Sequence, residues 1–218
     1  MPVFDLSQNN SVLNIFVSEL RNIEIQNDPI RFRTNLARIG EVMAYEISKK
    51  LSFQKKIIKT PLGNHDSSMI DDKLVIGTIL RAGLPFHNGF LNYFDRAENA
   101  FVSAYRNYTG KNSFDIDIEY ISSPDIDGKT LILVDPMLAT GNSLQLAYEA
   151  LMSKGKPAKV HFACVIASQV GIDHMSETLE RDNISLWCAA IDAELNSKSY
   201  IVPGLGDAGD LAYGEKLD

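Results

Sequence analysis

The sequence predicts an α/β fold, in which a central, mostly parallel β-sheet carries helices on both faces. Five short apolar runs lie between residues 74 and 190, helical segments separate several of them, and polar residues follow the runs directly. Strands that are apolar along their whole length are buried on both faces, and their alternation with helices is typical of parallel sheets. No repeat, low-complexity tract or linker divides the 218 residues, so residues 1–218 are interpreted as a single domain.

The first fifty residues are predicted to be helical. Asp28 followed by Pro29 is typical of a helix start, because aspartate caps the N-terminus and proline fits the first turn. Apolar residues then recur at helical spacing and predict one buried face. They are Phe32, Leu36, Ile39, Met43 and Ile47.

The five apolar runs are the predicted strands of the sheet. A helix at about 143–154, ended by Gly155, separates the third run from the fourth, and a helix at about 172–180 separates the fourth from the fifth. Open parallel sheets bind ligands beyond the carboxyl ends of their strands, so we expect functional residues just after the runs. The runs span residues 74–80, 100–105, 130–134, 159–166 and 184–190.

Two segments depart from this alternation. Residues 107–121 are interpreted as an excursion from the core that forms a hairpin or flap. Residues 194–218, here called the hood, are rich in glycine and aspartate and poor in regular pattern. We expect the hood to be a small C-terminal addition to the sheet.

Composition excludes several classes of protein. The net charge of −7 argues against a general nucleic-acid binder, because phosphate backbones require a basic surface. The N-terminus lacks a basic region followed by an apolar stretch, and no apolar run approaches the ~20 residues of a membrane span. We therefore predict a cytoplasmic protein with neither nucleic acid nor membrane as a partner.

The cysteines and histidines do not indicate a site. Cys164 and Cys188 each lie inside an apolar run, so we predict buried strand residues rather than disulfide partners or reactive thiols. The four histidines are scattered, without the spacing that is typical of metal ligands.

The third run leads directly into a loop of small and polar residues, and a predicted helix follows. A strand, a tight loop and a helix N-terminus aim backbone N–H groups and the positive end of the helix dipole at one point, which predicts a phosphate site. Thr140 and Ser143 add hydroxyl donors, and Asp135 is an acceptor for sugar hydroxyls. Alternatively, Asp135 only opens a turn and Ser143 only caps the helix. This phosphate loop consists of Asp135, Pro136, Met137, Leu138, Ala139, Thr140, Gly141, Asn142 and Ser143.

A second glycine pattern is misleading. Gly204 to Gly209 match G-x-G-x-x-G, the dinucleotide-binding fingerprint. That fingerprint requires a strand before it, a helix after it and an acidic residue about 20 residues further on, within a βαβ unit. We expect no second strand between Gly209 and Asp218, so the pattern does not predict a nicotinamide-dependent enzyme.

Five separated segments occur in a characteristic order. The segments are Arg31-Phe32-Arg33, Ile79-Leu80-Arg81-Ala82-Gly83-Leu84, Tyr105-Arg106-Asn107, the phosphate loop, and Tyr200-Ile201-Val202-Pro203-Gly204-Leu205-Gly206-Asp207-Ala208-Gly209-Asp210. Together they resemble the uracil phosphoribosyltransferase family, a branch of the type I phosphoribosyltransferases. The phosphate loop by itself resembles phosphoribosyltransferases in general, whereas the last segment resembles the uracil-specific branch.

The resemblance implies a type I phosphoribosyltransferase fold and an activity in pyrimidine salvage. The implied reaction transfers the 5-phosphoribosyl group of phosphoribosyl pyrophosphate to uracil, giving UMP and pyrophosphate. The resemblance also implies Mg²⁺ as a cofactor and a homodimer or higher homo-oligomer, and it leaves activation by GTP open. Two alternatives remain: a phosphoribosyltransferase for another nucleobase, and a non-catalytic regulatory nucleotide-binding protein of the same fold.

The resemblance further implies roles for matching residues. Arg81 and Arg106 would hold the pyrophosphate, since arginine forks pair well with phosphate oxygens. The phosphate loop would take the ribose and its 5-phosphate, and Asp207 would lie near an Mg²⁺ ion carried by the pyrophosphate. Asp135, Asp207 and Arg106 are the implied catalytic residues. Uracil would be read by the main chain at Ile201, Gly206, Asp207 and Ala208.

The chain departs from the family pattern at two informative places. Asn142 stands where the phosphate loop commonly has a second glycine. Asparagine is the side chain that best tolerates a positive φ, so we expect it to replace glycine in such a backbone. Tyr108-Thr109-Gly110 stand where an acidic pair is usual, which leaves the behaviour of the flap open.

Overall fold

A computed structural model describes residues 1–108, 114–179 and 181–216, without the side chains of residues 104–119. Within these ranges no helix is long and apolar enough to cross a membrane. The helices are α1 (Leu13–Arg21), α2 (Pro29–Ser48), α3 (Gly83–Leu91), α4 (Asn142–Leu151), α5 (Gln169–Thr178) and α6 (Ala208–Tyr213).

The central sheet has the strand order β1-β10-β9-β7-β4-β5-β6, with β8 also paired to β9. Its neighbouring strands are parallel except for the antiparallel β5–β6 pair. This arrangement confirms the predicted α/β fold with a mostly parallel sheet. The strands are β1 (Val3–Asp5), β2 (Phe53–Thr60), β3 (Gly63–Ile70), β4 (Leu74–Leu80), β5 (Glu98–Tyr108), β6 (Phe114–Ser122), β7 (Thr130–Val134), β8 (Met137–Leu138), β9 (Lys159–Ser168), β10 (Ile184–Asp192), β11 (Glu194–Leu195) and β12 (Ile201–Val202).

Both faces of the sheet are covered by helices. Helices α1, α2 and α3 contribute to one buried apolar cluster, and α4 and α5 contribute to a second. Successive side chains of a strand point to opposite faces. Accordingly, Ile132 and Val134 of β7 lie in the first cluster, while Leu131 and Leu133 lie in the second. Burial on both faces explains why this strand is apolar throughout.

Helix α2 begins where the sequence predicts. The Asp28 carboxylate accepts hydrogen bonds from the backbone N–H groups of Ile30 and Arg31, and Pro29 occupies the first turn. The five apolar residues of the predicted face are all buried. Local capping and the helical period are therefore both confirmed.

The two predicted helices between later strands are present with shifted ends. Helix α4 passes into a short 3₁₀ turn, Met152–Lys154, and Gly155 follows with φ 129°. Helix α5 begins earlier than predicted because Ser168 caps it, its hydroxyl accepting from the N–H of Gly171 at 2.9 Å.

Strands β1, β2 and β3 were not predicted, and neither were the two-residue strands β8, β11 and β12. Residues 3–5 form β1, which pairs with β10, so the prediction that the first fifty residues are helical is wrong there. Three residues are too short a segment to show a period. Strands β2 and β3 form a separate hairpin, and most of their side chains are exposed, so no apolar run marks them.

Both cysteines are buried strand residues, as predicted. Cys164 in β9 and Cys188 in β10 are free thiols with no exposed surface. Burial raises the pKa of both thiols above the ordinary value, which disfavours the reactive thiolate.

The predicted excursion at 107–121 is in part a hairpin. Strand β5 continues to Tyr108 and pairs with β6, with Tyr108 opposite Phe114. Thr109 and Gly110 lie outside the described residues, as does the side chain of Arg106. The function of this segment as a flap stays a prediction.

Candidate active site

The carboxyl ends of β4, β7, β9 and β10 meet at one edge of the sheet, because these strands are parallel. There the phosphate loop and the hood line a common cleft that is open to solvent. The phosphate loop contributes every residue except Asn142. The hood contributes residues 199–201 and 206–209. The structure therefore brings together the predicted phosphate site and the implied uracil site.

The phosphate loop is held to the sheet by its main chain. The N–H of Asp135 donates to the Ala163 carbonyl at 3.1 Å. The Pro136 carbonyl accepts from the N–H groups of Val165 and Ile166 at 3.1 and 3.0 Å. Gly141 then turns the chain into α4, which has no side-chain cap. Gly141 has no side chain that could occupy the first N–H groups of α4, which suits an anion site.

Asn142 does not have the backbone conformation that we expected. The positive φ belongs to Gly141, at 89°, and Asn142 is the first residue of α4, with an exposed side chain. Among the described residues other than glycine, Ser199 is the one with a positive φ. The expectation for Asn142 is therefore wrong, because the preceding glycine makes the turn.

Helix α5 supports the phosphate loop from behind. The Ser168 hydroxyl donates to the Ala139 carbonyl at 2.5 Å. A Cβ on Gly171 would lie 2.5 Å from the same carbonyl oxygen, so only glycine allows this approach. Further along, His174 Nε2 is 2.7 Å from Gln145 Oε1 in the first turns of α4. The loop is thus fixed at both of its ends.

No role was predicted from the sequence for Ser168, Gly171, His174 or Gln145. Ser168 lies two residues after the fourth apolar run, close to where functional residues were expected, so that rule points to its neighbourhood. His174 and Gln145 lie inside helices and meet only in the folded chain, so no sequence signal marks them.

Asp135 is the group in the cleft whose ionisation is most perturbed. Its side chain is half-buried at the end of β7. Burial raises the pKa of this carboxyl to about 7, and a hydrogen bond from the backbone N–H of Met137 opposes the shift only in part. A strongly shifted carboxyl in a cleft is a candidate functional group. A ligand that donates hydroxyl hydrogen bonds to Asp135 would stabilise the charged form.

The implied uracil segment has a defined conformation in the hood. Asp207 caps α6, its Oδ1 accepting from the N–H groups of Gly209 and Asp210 at 2.8 and 3.0 Å. Gly206 has φ 93°, which favours glycine. Ile201 and Ala208 are buried beside the cleft. The segment after β12 precedes a helix of six residues, and within the described chain no strand follows it, so the dinucleotide fingerprint lacks its context.

Arg81 connects β4 to the hood. Its Nη2 donates to Asp210 Oδ1 and to the Gly214 carbonyl, both at 3.2 Å, and 41% of its side chain is exposed. Both contacts are made by Nη2, and Arg81 is not among the described residues that line the cleft. Arg106 is a backbone position of β5, and its side chain is outside the described part of the chain.

The residues around the cleft fit a metal ion that is carried by a substrate. Within the described ranges, no three His, Cys, Asp or Glu side chains form a metal-binding group. The cleft offers separate carboxylates, Asp135 and Asp207. Mg²⁺ prefers oxygen ligands and is commonly held by one or two carboxylates together with substrate phosphates. The donor set is therefore compatible with Mg²⁺ on a pyrophosphate.

Comparison with known proteins identifies the family. The family model described as uracil phosphoribosyltransferase matches residues 7–215. The uracil phosphoribosyltransferase of Porphyromonas gingivalis is 59% identical over 217 residues, which cover 100% of both chains. The chain belongs to the uracil phosphoribosyltransferase family. A member of this family from Methanothermobacter thermautotrophicus is 40% identical over 193 residues, 88% of this chain and 87% of its own.

Solved structures share the fold of this chain. A protein from Aquifex aeolicus superposes with a TM-score of 0.87 at 29% identity, covering 99% of this chain and 100% of its own. A hypoxanthine phosphoribosyltransferase from Staphylococcus aureus has a TM-score of 0.51 at 15% identity, covering 85% and 83%, and shows the fold alone. The resemblance seen in the five segments and the type I phosphoribosyltransferase fold are both confirmed.

Proposed function

We propose that this protein transfers the 5-phosphoribosyl group of phosphoribosyl pyrophosphate to uracil, giving UMP and pyrophosphate. The observation that carries the proposal is the full-length match to a uracil phosphoribosyltransferase at 59% identity. The cleft supports it, because a phosphate loop and the Tyr200–Asp210 segment line the same space. The cytoplasm remains the predicted compartment.

The reaction is a displacement at the anomeric carbon of the ribose. A bond forms from uracil nitrogen to this carbon as the bond to pyrophosphate oxygen breaks, and the proton of the uracil nitrogen passes to the departing pyrophosphate or to solvent. No covalent enzyme nucleophile is needed, so the chain contributes position, charge stabilisation and exclusion of water. In this proposal the N-terminus of α4 and the hydroxyls of Thr140 and Ser143 hold the 5-phosphate. Asp135 accepts hydrogen bonds from the ribose hydroxyls.

The nucleobase is proposed to bind the main chain of the hood. Recognition by N–H and carbonyl groups suits uracil, whose edge offers both donors and acceptors. Ile201, Gly206, Asp207 and Ala208 are the proposed contacts. Glycine at 206 permits close approach of a flat base, since no Cβ intervenes.

The departing pyrophosphate is proposed to be held by Arg81 and Arg106. Arg81 would exchange its long bonds to Asp210 and Gly214 for phosphate oxygens. Asp207 would lie near an Mg²⁺ ion bound to the pyrophosphate, and the ion would neutralise charge on the leaving group. The 107–121 segment would act as a flap that excludes water.

We also propose that the protein is a homodimer or a higher homo-oligomer. Strands β2 and β3 form a sheet of their own, apart from the central one. Several large apolar side chains of this hairpin are exposed, and clustered exposed apolar surface is typical of interaction sites. They are Phe53, Ile57, Ile58, Leu62, Met69 and Ile70.

A nucleobase panel tests the activity. The purified protein is mixed with phosphoribosyl pyrophosphate, Mg²⁺ and one base at a time, and pyrophosphate release is measured. We expect release with uracil and none with purines. Release with orotate or hypoxanthine but not uracil would support the alternative of another nucleobase, and no release with any base would support a non-catalytic protein. Repeating the uracil assay with GTP tests activation.

A further inference from the structure

A buried ion pair lies behind the hood. Arg21 is the last residue of α1, and Asp192 is the last residue of β10. Arg21 Nη2 is 2.7 Å from Asp192 Oδ1, and Arg21 Nη1 donates to Asp192 Oδ2 at 2.8 Å. Only 7% of the Asp192 side chain and 23% of the Arg21 side chain are exposed. Such a two-bond fork fixes the relative orientation of the two groups as well as their distance.

The pair hydrogen-bonds to both backbone polar groups of Gly204, its N–H and its carbonyl. The Gly204 N–H donates to Asp192 Oδ2 at 2.9 Å, and its carbonyl accepts from Arg21 Nη1 at 2.9 Å. Gly204 has φ 58°, and a Cβ there would lie 2.1 Å from the Ile201 carbonyl oxygen. The next residue is also held, because Gln26 Nε2 donates to the Leu205 carbonyl at 3.1 Å.

The residues on both sides of this anchor line the cleft. Ile201 precedes Gly204, and residues 206–208 follow Leu205. Neither Arg21 nor Asp192 is among the described residues of the cleft lining. Their contacts therefore reach the cleft only through the main chain that they hold.

We propose that Arg21 and Asp192 are positioning residues for the nucleobase, setting its affinity through the main chain of the hood. This inference rests on the proposed function, in which residues 201 and 206–208 contact uracil. A main-chain site cannot adjust by changing rotamers, so its donors and acceptors are only as well placed as the backbone. Releasing Gly204 would leave those groups misaligned and the base poorly paired.

The phosphate loop should be unaffected by this pair. Within the described chain, the hydrogen bonds of Arg21 and Asp192 side chains go to each other and to Gly204, and none goes to residues 135–143. Support for the loop comes instead from β9 and α5. The inference consequently predicts an effect on uracil binding without an equal effect on phosphoribosyl pyrophosphate.

The chain provides a matched control. Arg31 forms the same kind of fork with Glu19, with Nε–Oε2 and Nη2–Oε1 distances of 2.7 Å. This pair joins α1 to α2, and neither side chain is among the described residues that line the cleft. Arg31→Ala thus removes another arginine–carboxylate fork that involves α1, without releasing Gly204.

The test compares Arg21→Ala, Arg21→Lys, Arg31→Ala and wild type. For each protein we measure the KM for uracil at saturating phosphoribosyl pyrophosphate and the KM for phosphoribosyl pyrophosphate at saturating uracil. Thermal unfolding of each protein is measured as well. We expect Arg21→Ala to raise the KM for uracil about tenfold or more and the KM for phosphoribosyl pyrophosphate by no more than about twofold. Lysine keeps the charge but not the fork, so Arg21→Lys should fall between Arg21→Ala and wild type. Arg31→Ala should change both KM values by less than about twofold.

Two results would overturn the inference. One is a uracil KM for Arg21→Ala within about twofold of wild type. The other is an equal rise in both KM values, which would mean general damage to the cleft. If Arg21→Ala does not fold, Arg21→Lys carries the same comparison. Wild type that releases no pyrophosphate with uracil would instead refute the proposed function, so the two failures are distinguishable.

Discussion

The Asp135 side chain lies in the candidate active site, and its carboxyl is difficult to ionise there. Its pKa in the folded chain is about 7, above the ordinary 3.8, because burial disfavours the charged form. The stabilising contribution of a group with a raised folded pKa is complete below its unfolded pKa and is lost as the pH rises through the folded one. The stability that protonated Asp135 contributes is therefore lost as the pH rises from its ordinary pKa of 3.8 to about 7, and the loss is complete above about pH 7.

We expect Asp135→Asn to stabilise the ligand-free protein at about pH 8 and to have little effect near pH 4. The amide keeps the shape and removes the charge, and each kcal/mol gained corresponds to about 2–4 °C in Tm for a chain of this size. Thermal unfolding of both proteins across this pH range is the measurement. Equal Tm values at every pH would contradict it. Activity should fall in the variant, because an uncharged amide is a weaker acceptor for ribose hydroxyls.

Gly141, rather than Asn142, is the sensitive residue of the phosphate loop. Gly141 has φ 89°, and a Cβ there would lie 2.8 Å from His174 Cδ2. Gly141→Ala should raise the KM for phosphoribosyl pyrophosphate about tenfold or more, since both the turn and the α5 contact are disturbed.

Asn142→Val serves as the comparison at the adjacent position. The Asn142 side chain is exposed on the first turn of α4, and valine and asparagine have similar helix propensities, so the substitution should leave the KM for phosphoribosyl pyrophosphate within about tenfold. Kinetics at saturating uracil test both variants. A Gly141→Ala enzyme with normal kinetics and a damaged Asn142→Val enzyme would show that our description of the loop is wrong.

At the scale of elements, α5 acts as a brace for the phosphate loop. Ser168 both caps this helix and donates to the Ala139 carbonyl. Ser168→Ala should lower stability by about 1 kcal/mol through loss of the cap. It should also raise the KM for phosphoribosyl pyrophosphate more than the KM for uracil, the reverse of the pattern expected for Arg21→Ala. Steady-state kinetics and thermal unfolding test both expectations. If Ser168→Ala lowers the Tm but leaves both KM values unchanged, α5 contributes to stability and not to binding of phosphoribosyl pyrophosphate.

The elements that sequence predicted well are those with a local signature. Asp28 and Pro29 mark the start of α2, and residues 74–80 and 130–134 form β4 and β7 with the predicted bounds. The β2–β3 hairpin was not predicted because its strands lack both alternation and burial. The elements that were not predicted are therefore those without a helix-capping residue or a periodic pattern of apolar residues in the sequence.

At the scale of the whole molecule, the exposed hairpin bears on assembly. Ile57 is 67% exposed on β2, and Ile23, which lies between α1 and α2, is 75% exposed. If the hairpin contributes to an oligomer, Ile57→Lys should lower the mass observed by sedimentation, while Ile23→Lys should not. Wild type that sediments as a 24.2 kDa monomer would contradict the proposed oligomer.

The sequence by itself determined the strand and helix alternation, the phosphate loop and the family. These features depend on residues that are close together in the chain. Their helix caps, hydrophobic periodicity and motifs are visible in the sequence alone. The order of the parallel strands then places Asp135 at the same edge as the end of β4. The site could therefore be predicted wherever a motif directly follows a strand.

Only the tertiary structure decided what holds these motifs in place. Arg21 and Asp192 are 171 positions apart, and Ser168 meets Ala139 across two different elements. The conformation of Gly141 likewise depends on the fit of α5 against the loop. Such contacts carry no local pattern, because they exist only after the sheet has brought distant segments together. The sequence thus indicates which groups bind the ligands, and packing between distant elements determines how precisely those groups are positioned.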